Sequence, residues 1–124
     1  MVISQRNGLV INISSTGATE RIGAILPYGV AIQGLDRMSA GMAIEFRRYR
    51  ISVISLWPSP TSAKAMLDVT DQGDWSSLSS PEFTGRVVAA LAEDGQAGLK
   101  SGKSLRLRDL AKEFHIADER NTDA

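Results

Sequence analysis

The chain reads as an α/β protein with about three parallel strands flanked by helices. Three observations predict this. Two short β-rich runs, Gly8 to Ser14 and Ile51 to Trp57, flank a long stretch with helical spacing. The first run, Gly8-Leu9-Val10-Ile11-Asn12-Ile13-Ser14, is almost continuously apolar and β-branched, which suits a strand buried on both faces of a parallel sheet. The connections are short, and strand, helix, strand in that order gives a right-handed crossover and a parallel pair.

Each element has its own signal. The first strand ends at Ser14-Ser15-Thr16-Gly17, a loop signal. From Tyr28 to about Arg48, Ile32, Leu35, Met38, Met42 and Phe46 recur at three- and four-residue spacing, while Ala31, Ala40 and Ala43 allow close packing. Arg47-Arg48-Tyr49-Arg50 places cations at the negative end of that helix. Pro58 stops the second strand. Residues 58–80, with DVTDQGD, read as a long loop or a partly helical flap. Ser80 is positioned to cap a further helix, with Pro81 and Glu82 in its first turn and Phe83, Val87, Val88, Leu91 and Ala92 on one face. Gly102 to Leu107 is expected to form a short strand and Asp109 to about His115 a last helix. The polar end, 117–124, is expected to fray, leaving one domain over residues 1–124.

Composition removes several function classes. Formal net charge is zero, so there is no global attraction to nucleic acid or an anionic membrane. There is no cysteine, which excludes disulfides, thiol catalysis and thiolate zinc sites. The single histidine, His115, makes no metal cluster and reads as a surface residue. No apolar run is long enough to predict a membrane-spanning helix, and MVISQRNGLVINISS lacks the apolar core of a signal peptide. A cytoplasmic location is the resulting expectation.

The pieces GLVINISS, PYGV, LDRMSAGMAIEFRR, ISVISLWP, SPEFTGRVVAALAED, and SGK followed by RDLAKEF stand in one order along nearly the whole chain. Together they resemble the C-terminal half of short-chain dehydrogenases/reductases, and within that family the branch called dehydrogenase/reductase member 1. The resemblance implies a partial Rossmann-like, three-layer fold. It also implies hydride transfer between NAD or NADP and an alcohol or carbonyl substrate. A tyrosine acts there as acid/base, a serine holds the substrate oxygen, and a lysine one helical turn after the tyrosine promotes phenolate and holds the cofactor ribose. A phenol titrates near pH 10 in water, so it needs such a cation. By this resemblance Tyr28 is the catalytic tyrosine. Ser15, thirteen residues earlier, is the serine, with Ser14 as second candidate. Asn12 is read as structural. Pro58 and Thr61 are the candidate contacts to the nicotinamide.

The sequence departs from that pattern in three places. Ile32 stands where the lysine belongs, and Gln33 is uncharged and turned about 100° around the helix. After the second strand, Trp57-Pro58-Ser59-Pro60-Thr61 replaces the usual Pro-Gly, removing a glycine and a backbone donor. No glycine-rich phosphate-binding turn occurs, and Gly95-Gln96-Ala97-Gly98 follows a helix, the wrong context for one. The resemblance begins just before the family's fifth strand. Two readings follow. One is an oxidoreductase by descent, incapable of self-sufficient catalysis. The other is a pseudoenzyme or interaction module, or a non-functional gene fragment. Self-association is expected through the Tyr28 to Arg48 helix or through an open strand edge. Specificity for any substrate would come largely from residues 61–80.

Overall fold

The computed structural model describes residues 2–15, 26–58 and 80–118. Helix α1 (Val2–Gln5) leads into β1 (Gly8–Ile13), α2 (Leu26–Phe46), β2 (Ile51–Trp57), α3 (Pro81–Glu93), β3 (Ser104–Arg106) and α4 (Leu107–Glu113). The sheet has three strands in the order β1-β2-β3, and both pairings are parallel. The predicted α/β class and parallel three-strand sheet are therefore found.

Side chains alternate across the strands and sort the core into two faces. Ile54 and Leu56 of β2 join Phe83, Val87 and Leu91 of α3 and Leu107, Leu110 and Ala111 of α4 in one dense cluster, against which Leu9 and Ile11 of β1 pack. On the other face Ile51 and Val53 meet Ala43 of α2, with Val10 beside them. The layers are thus α2, sheet, and α3 with α4. β2 is the central strand, and Val53, Ile54 and Leu56 are wholly shielded from solvent.

β3 is too short to cover all of β2, and the preceding turn completes the job. Gly102 donates its N–H to the Val53 carbonyl at 2.7 Å, while the Val53 N–H donates to Ser101 Oγ at 2.9 Å. Gly102 adopts φ +85°, a left-handed conformation that favours glycine. Ser80 caps α3 as its sequence predicts: its Oγ accepts from the Phe83 N–H at 3.0 Å, and Pro81 occupies the first turn.

Several boundaries differ from the sequence reading. α2 starts at Leu26, before Tyr28, because proline is at home in a first helical turn. It ends at Phe46, where Arg47–Tyr49 tighten into a 3-10 turn and Arg50 takes φ 57°. β3 is shorter than expected, and α4 begins two residues earlier, at Leu107, which its own burial explains. Met38, expected on the packed stripe of α2, is half exposed; Ser39 and Ala43 are the residues that α2 buries. The residues of α2 closest to the sheet are small, which lets the helix approach it. Ala97 and Gly98 of the Gly95-Gln96-Ala97-Gly98 stretch open a 3-10 turn, Ala97–Lys100. Of the end expected to fray, Ala117 and Asp118 are described, and the Ala117 carbonyl accepts from Arg86 Nη2 at 2.9 Å.

Candidate functional site

The C-terminal ends of β1 and β2 lie side by side, because the strands are parallel and in register from Gly8 opposite Ile51 to Ile13 opposite Leu56. The ladder runs one residue further, with the Ser14 N–H donating to the Leu56 carbonyl at 2.8 Å. Ser14 and Ser15 are buried at that end, 5% and 2% exposed. A hydroxyl so placed normally finds a partner, yet Ser14 Oγ has none among the described residues. Ser15 does engage in a polar interaction.

α2 returns antiparallel to the strands, so its N-terminal end rises over the same edge of the sheet. Tyr28, Ile32 and Asp36 follow one another at four-residue spacing and form one ridge of the helix. Tyr28 and Ile32 are half-buried, while Gln33 is exposed. Among the described residues no hydrogen bond reaches the Tyr28 hydroxyl. The structure thus puts Ser14 and Ser15 at the end of β1 and Tyr28 near the start of α2, without joining Ser15 to Tyr28. Pro58 closes β2 beside them and takes part in a further interaction. Thr61, Ser59, Pro60 and the proposed specificity loop lie outside the described residues.

The group that sequence reasoning missed is Asp36. Its carboxyl accepts a hydrogen bond from Ser55 Oγ, and the Trp57 Nε1–H donates to both its oxygens at 3.2 Å. Ser55 is 1% exposed, so its hydroxyl is satisfied inside the protein. A second polar link lies about one turn further along α2. Asn12 Nδ2 donates to Ser39 Oγ at 2.9 Å, and Ser39 Oγ donates to the Leu35 carbonyl at 2.8 Å. Asn12 is thereby structural, as its place on the strand suggested. These two links clamp α2 to both β1 and β2. With Asp36 level with the end of β2, Tyr28 stands eight residues earlier, about 12 Å further along the axis at 1.5 Å per residue. The tyrosine therefore overhangs the sheet. The signal for Asp36 was in the sequence: an acid on the side of the helix that carries Ile32, Leu35 and Ser39.

The groups that would hold a dinucleotide do not come together among the described residues. A phosphate site needs backbone N–H groups presented by a glycine-rich turn between a strand and a helix, and the sequence has none. Where a cation would hold the ribose, Ile32 places hydrocarbon on the ridge between Tyr28 and Asp36. No His, Cys, Asp or Glu cluster able to hold a metal exists among the described residues, and His115 is exposed. No helix among them is long and apolar enough to cross a membrane.

Comparison with known proteins fits this geometry. The model of the family described as short chain dehydrogenase matches residues 1–74. The mouse protein named dehydrogenase/reductase SDR family member 1 is 31% identical over 95% of this chain, which in turn spans 42% of that relative's length. The expected likeness to that branch is therefore found. Among solved structures, an oxidoreductase of the short chain dehydrogenase/reductase family from Burkholderia thailandensis superposes with TM-score 0.66 at 16% identity, covering 92% of this chain and 52% of that one. An actinorhodin polyketide ketoreductase solved with NADPH gives TM-score 0.60 at 18% identity, over 85% of this chain and 47% of that one. At these identities the structures show the fold alone.

Proposed function

The chain belongs to the short-chain dehydrogenase/reductase family, and on that premise we propose that it carries the substrate-side half of an alcohol/carbonyl oxidoreductase site. In this reading Tyr28 is the proton donor or acceptor at the substrate oxygen, and Ser15 holds that oxygen, with Ser14 the alternative. NAD or NADP is the hydride carrier that the family implies. The chain spans 42% of its curated relative, and the residues present do not fit that cofactor. In this reading the described stretch is not expected to transfer hydride without a cofactor-binding partner segment.

One observation carries this proposal: Ile32 occupies the ridge position one turn beyond Tyr28. An ammonium there would favour phenolate by direct attraction in a partly desolvated place. A hydrocarbon gives no such attraction and offers a ribose hydroxyl no donor. Acid/base catalysis works best when the group titrates near the working pH, so the change strikes at the proton step and at cofactor binding together. A second reading, an interaction module on a retained fold, draws on the outer face of α2. There Leu26, Val30 and Ile44 are 70%, 62% and 68% exposed on the side away from the sheet.

The test is an assay of NADH- and NADPH-dependent carbonyl reduction by the purified chain and two variants, followed by nicotinamide absorbance. The expected result is no turnover above background for the unaltered chain. Any trace of activity is expected to rise in Ile32→Lys and vanish in Tyr28→Phe. Robust turnover indifferent to both substitutions would remove Tyr28 and Ile32 from the reading.

A further inference from the structure

The strands begin at the end of the sheet opposite the candidate site, and a cleft of about 750 Å³ opens there. Its floor includes Ile51 and Ser52, the first residues of β2. Ala40 and Ile44 of α2 form one wall, and Leu99 in the turn before β3 stands on the other. The cleft therefore lies on the side of α2 towards β3. β2 is seven residues long, so at about 3.3 Å per residue roughly 20 Å separates the cleft from the strand end where Ser14 lies. That other end is where open α/β sheets place a dinucleotide. The cleft's volume falls in the range of about 300–1,000 Å³ common for small-molecule sites.

The lining combines charge with hydrocarbon. Arg47 and Arg50 both line the cleft, and no carboxylate does. Neither arginine side chain has an ion pair or hydrogen bond among the described residues. Arg48, between them, is used differently: its guanidinium lies 4.7 Å over the Tyr49 ring, away from the cleft. Ile44 and Leu99, both largely exposed, rim the same cleft. Cations at a helix end need no ligand, because the helix dipole favours them. The dipole does not account for two unpaired cations and two exposed large apolar side chains meeting in one concavity. The carbonyl end of α2 brings about half a negative charge, against two full positive ones. Arg50 holds φ 57°, a conformation in which glycine is free of strain. Arg6 and His115 also take positive φ, so that conformation marks no site by itself, but it supplies a test.

We propose that this cleft binds a small amphiphilic anion, a single carboxylate or phosphate-monoester head on a short aliphatic body. Arg47 and Arg50 hold the head, because a guanidinium presents paired N–H donors that match two oxygens of either group. Ile44 and Leu99 cover the aliphatic body, which takes their own surface out of water. A bare inorganic anion leaves that apolar rim in water. A neutral alcohol leaves both cations without a counter-charge. The lining thus selects an occupant that carries head and body together. The site uses other residues at the other end of the sheet, so it is independent of the oxidoreductase reading.

The test titrates the isotope-labelled chain with octanoate, octyl phosphate, inorganic phosphate and octanol, reading amide NMR shifts. Saturable shifts at Gly98, Leu99 and Gly102 are expected with at least one amphiphilic anion, with Kd at or below about 1 mM. The tighter of the two identifies the head group. Inorganic phosphate and octanol are expected to bind at least about tenfold more weakly. Arg47→Gln and Arg50→Gly are each expected to weaken binding at least about tenfold, while Arg48→Gln leaves it unchanged. Arg50→Gly is expected to melt no lower than the unaltered chain, since glycine accepts the positive φ, so its loss of binding is not a loss of fold. Absence of saturable binding by both amphiphiles overturns the proposal. So does octanol or inorganic phosphate binding as tightly as they do. Affinity that survives both Arg47→Gln and Arg50→Gly, or falls equally in Arg48→Gln, also overturns it.

Discussion

The two faces of the sheet are held by different chemistry. Under α3 and α4, eight buried apolar side chains from three elements make a continuous hydrocarbon core. Under α2, three buried apolar residues are found among the described residues, and the helix is also located by Asn12 to Ser39 and by Ser55 and Trp57 to Asp36. Area burial is non-directional and supplies stability. Hydrogen bonds are directional and supply position. The candidate site residues sit on α2 and on the strand ends it is tied to. The face that carries the candidate site is therefore the one that is positioned by polar links, and the opposite face keeps it folded.

This contrast can be broken from either side. The largest effect is expected in the hydrocarbon face. Leu91 is fully buried within it, and Leu91→Ala is expected to cost about 2–5 kcal/mol in urea unfolding, lowering the whole transition. Asp36→Ala strikes the other face. It leaves the buried Ser55 hydroxyl and the Trp57 indole N–H without their partner, at an expected cost of about 1–3 kcal/mol. It should also shift Trp57 emission, read in a Trp75→Phe background because the chain has two tryptophans. Asp36→Asn keeps an acceptor and is expected to fall between. If Asp36→Ala cost as much as Leu91→Ala with no change in emission, the division of labour would be wrong.

The smallest effect is expected at the surface of the hydrocarbon face. Lys100 bonds Glu113 at 2.8 Å and Asp94 at 3.4 Å. The Glu113 hydrogen bond, opposed by desolvation and aided by Asp94, raises the lysine above its ordinary value of 10.5. A raised folded-state value stabilises the fold below the unfolded value. That contribution is fully present at neutral pH and fades as pH climbs past 10.5 through the raised folded value. The pair is near the surface, so Lys100→Met is expected to cost at most about 1 kcal/mol, checked by melts at neutral and high pH.

Much of the fold was legible because it depends on local rules. The β-branched run at 51–57 marks β2 residue for residue, and the Ser80-Pro81-Glu82 signal starts α3 where the cap is found. The parallel sheet followed from continuous apolar strands and short connections. What local rules missed depended on distant partners. Met38 fits the helical stripe, but the closest approach to the sheet falls on Ser39 and Ala43, which a spacing count of large residues skips. The sequence reading passed over Asp36, because its partners Ser55 and Trp57 are supplied only by β2. For the candidate site, Tyr28, Ser15 and Ile32 were named from the resemblance to the family, and the structure puts Ser15 at the end of β1 and Tyr28 and Ile32 on one ridge of α2. The overhang of Tyr28 beyond the sheet was not legible, since it is set by where the polar links fix α2.

The most direct test of the central claim is cofactor binding by the chain itself. Trp57 ends β2 at the edge where Ser14 and Ser15 lie, the edge at which the proposed reading puts the nicotinamide. In the Trp75→Phe background, NADH and NADPH would be titrated while Trp57 emission is followed and checked by calorimetry. With Ile32 beside Tyr28 and no phosphate-binding turn, neither cofactor should give a saturable signal up to about millimolar concentration, the weak end of measurable affinity. Saturable binding of either one at micromolar concentration would contradict the claim that this chain holds half a site and lacks the rest.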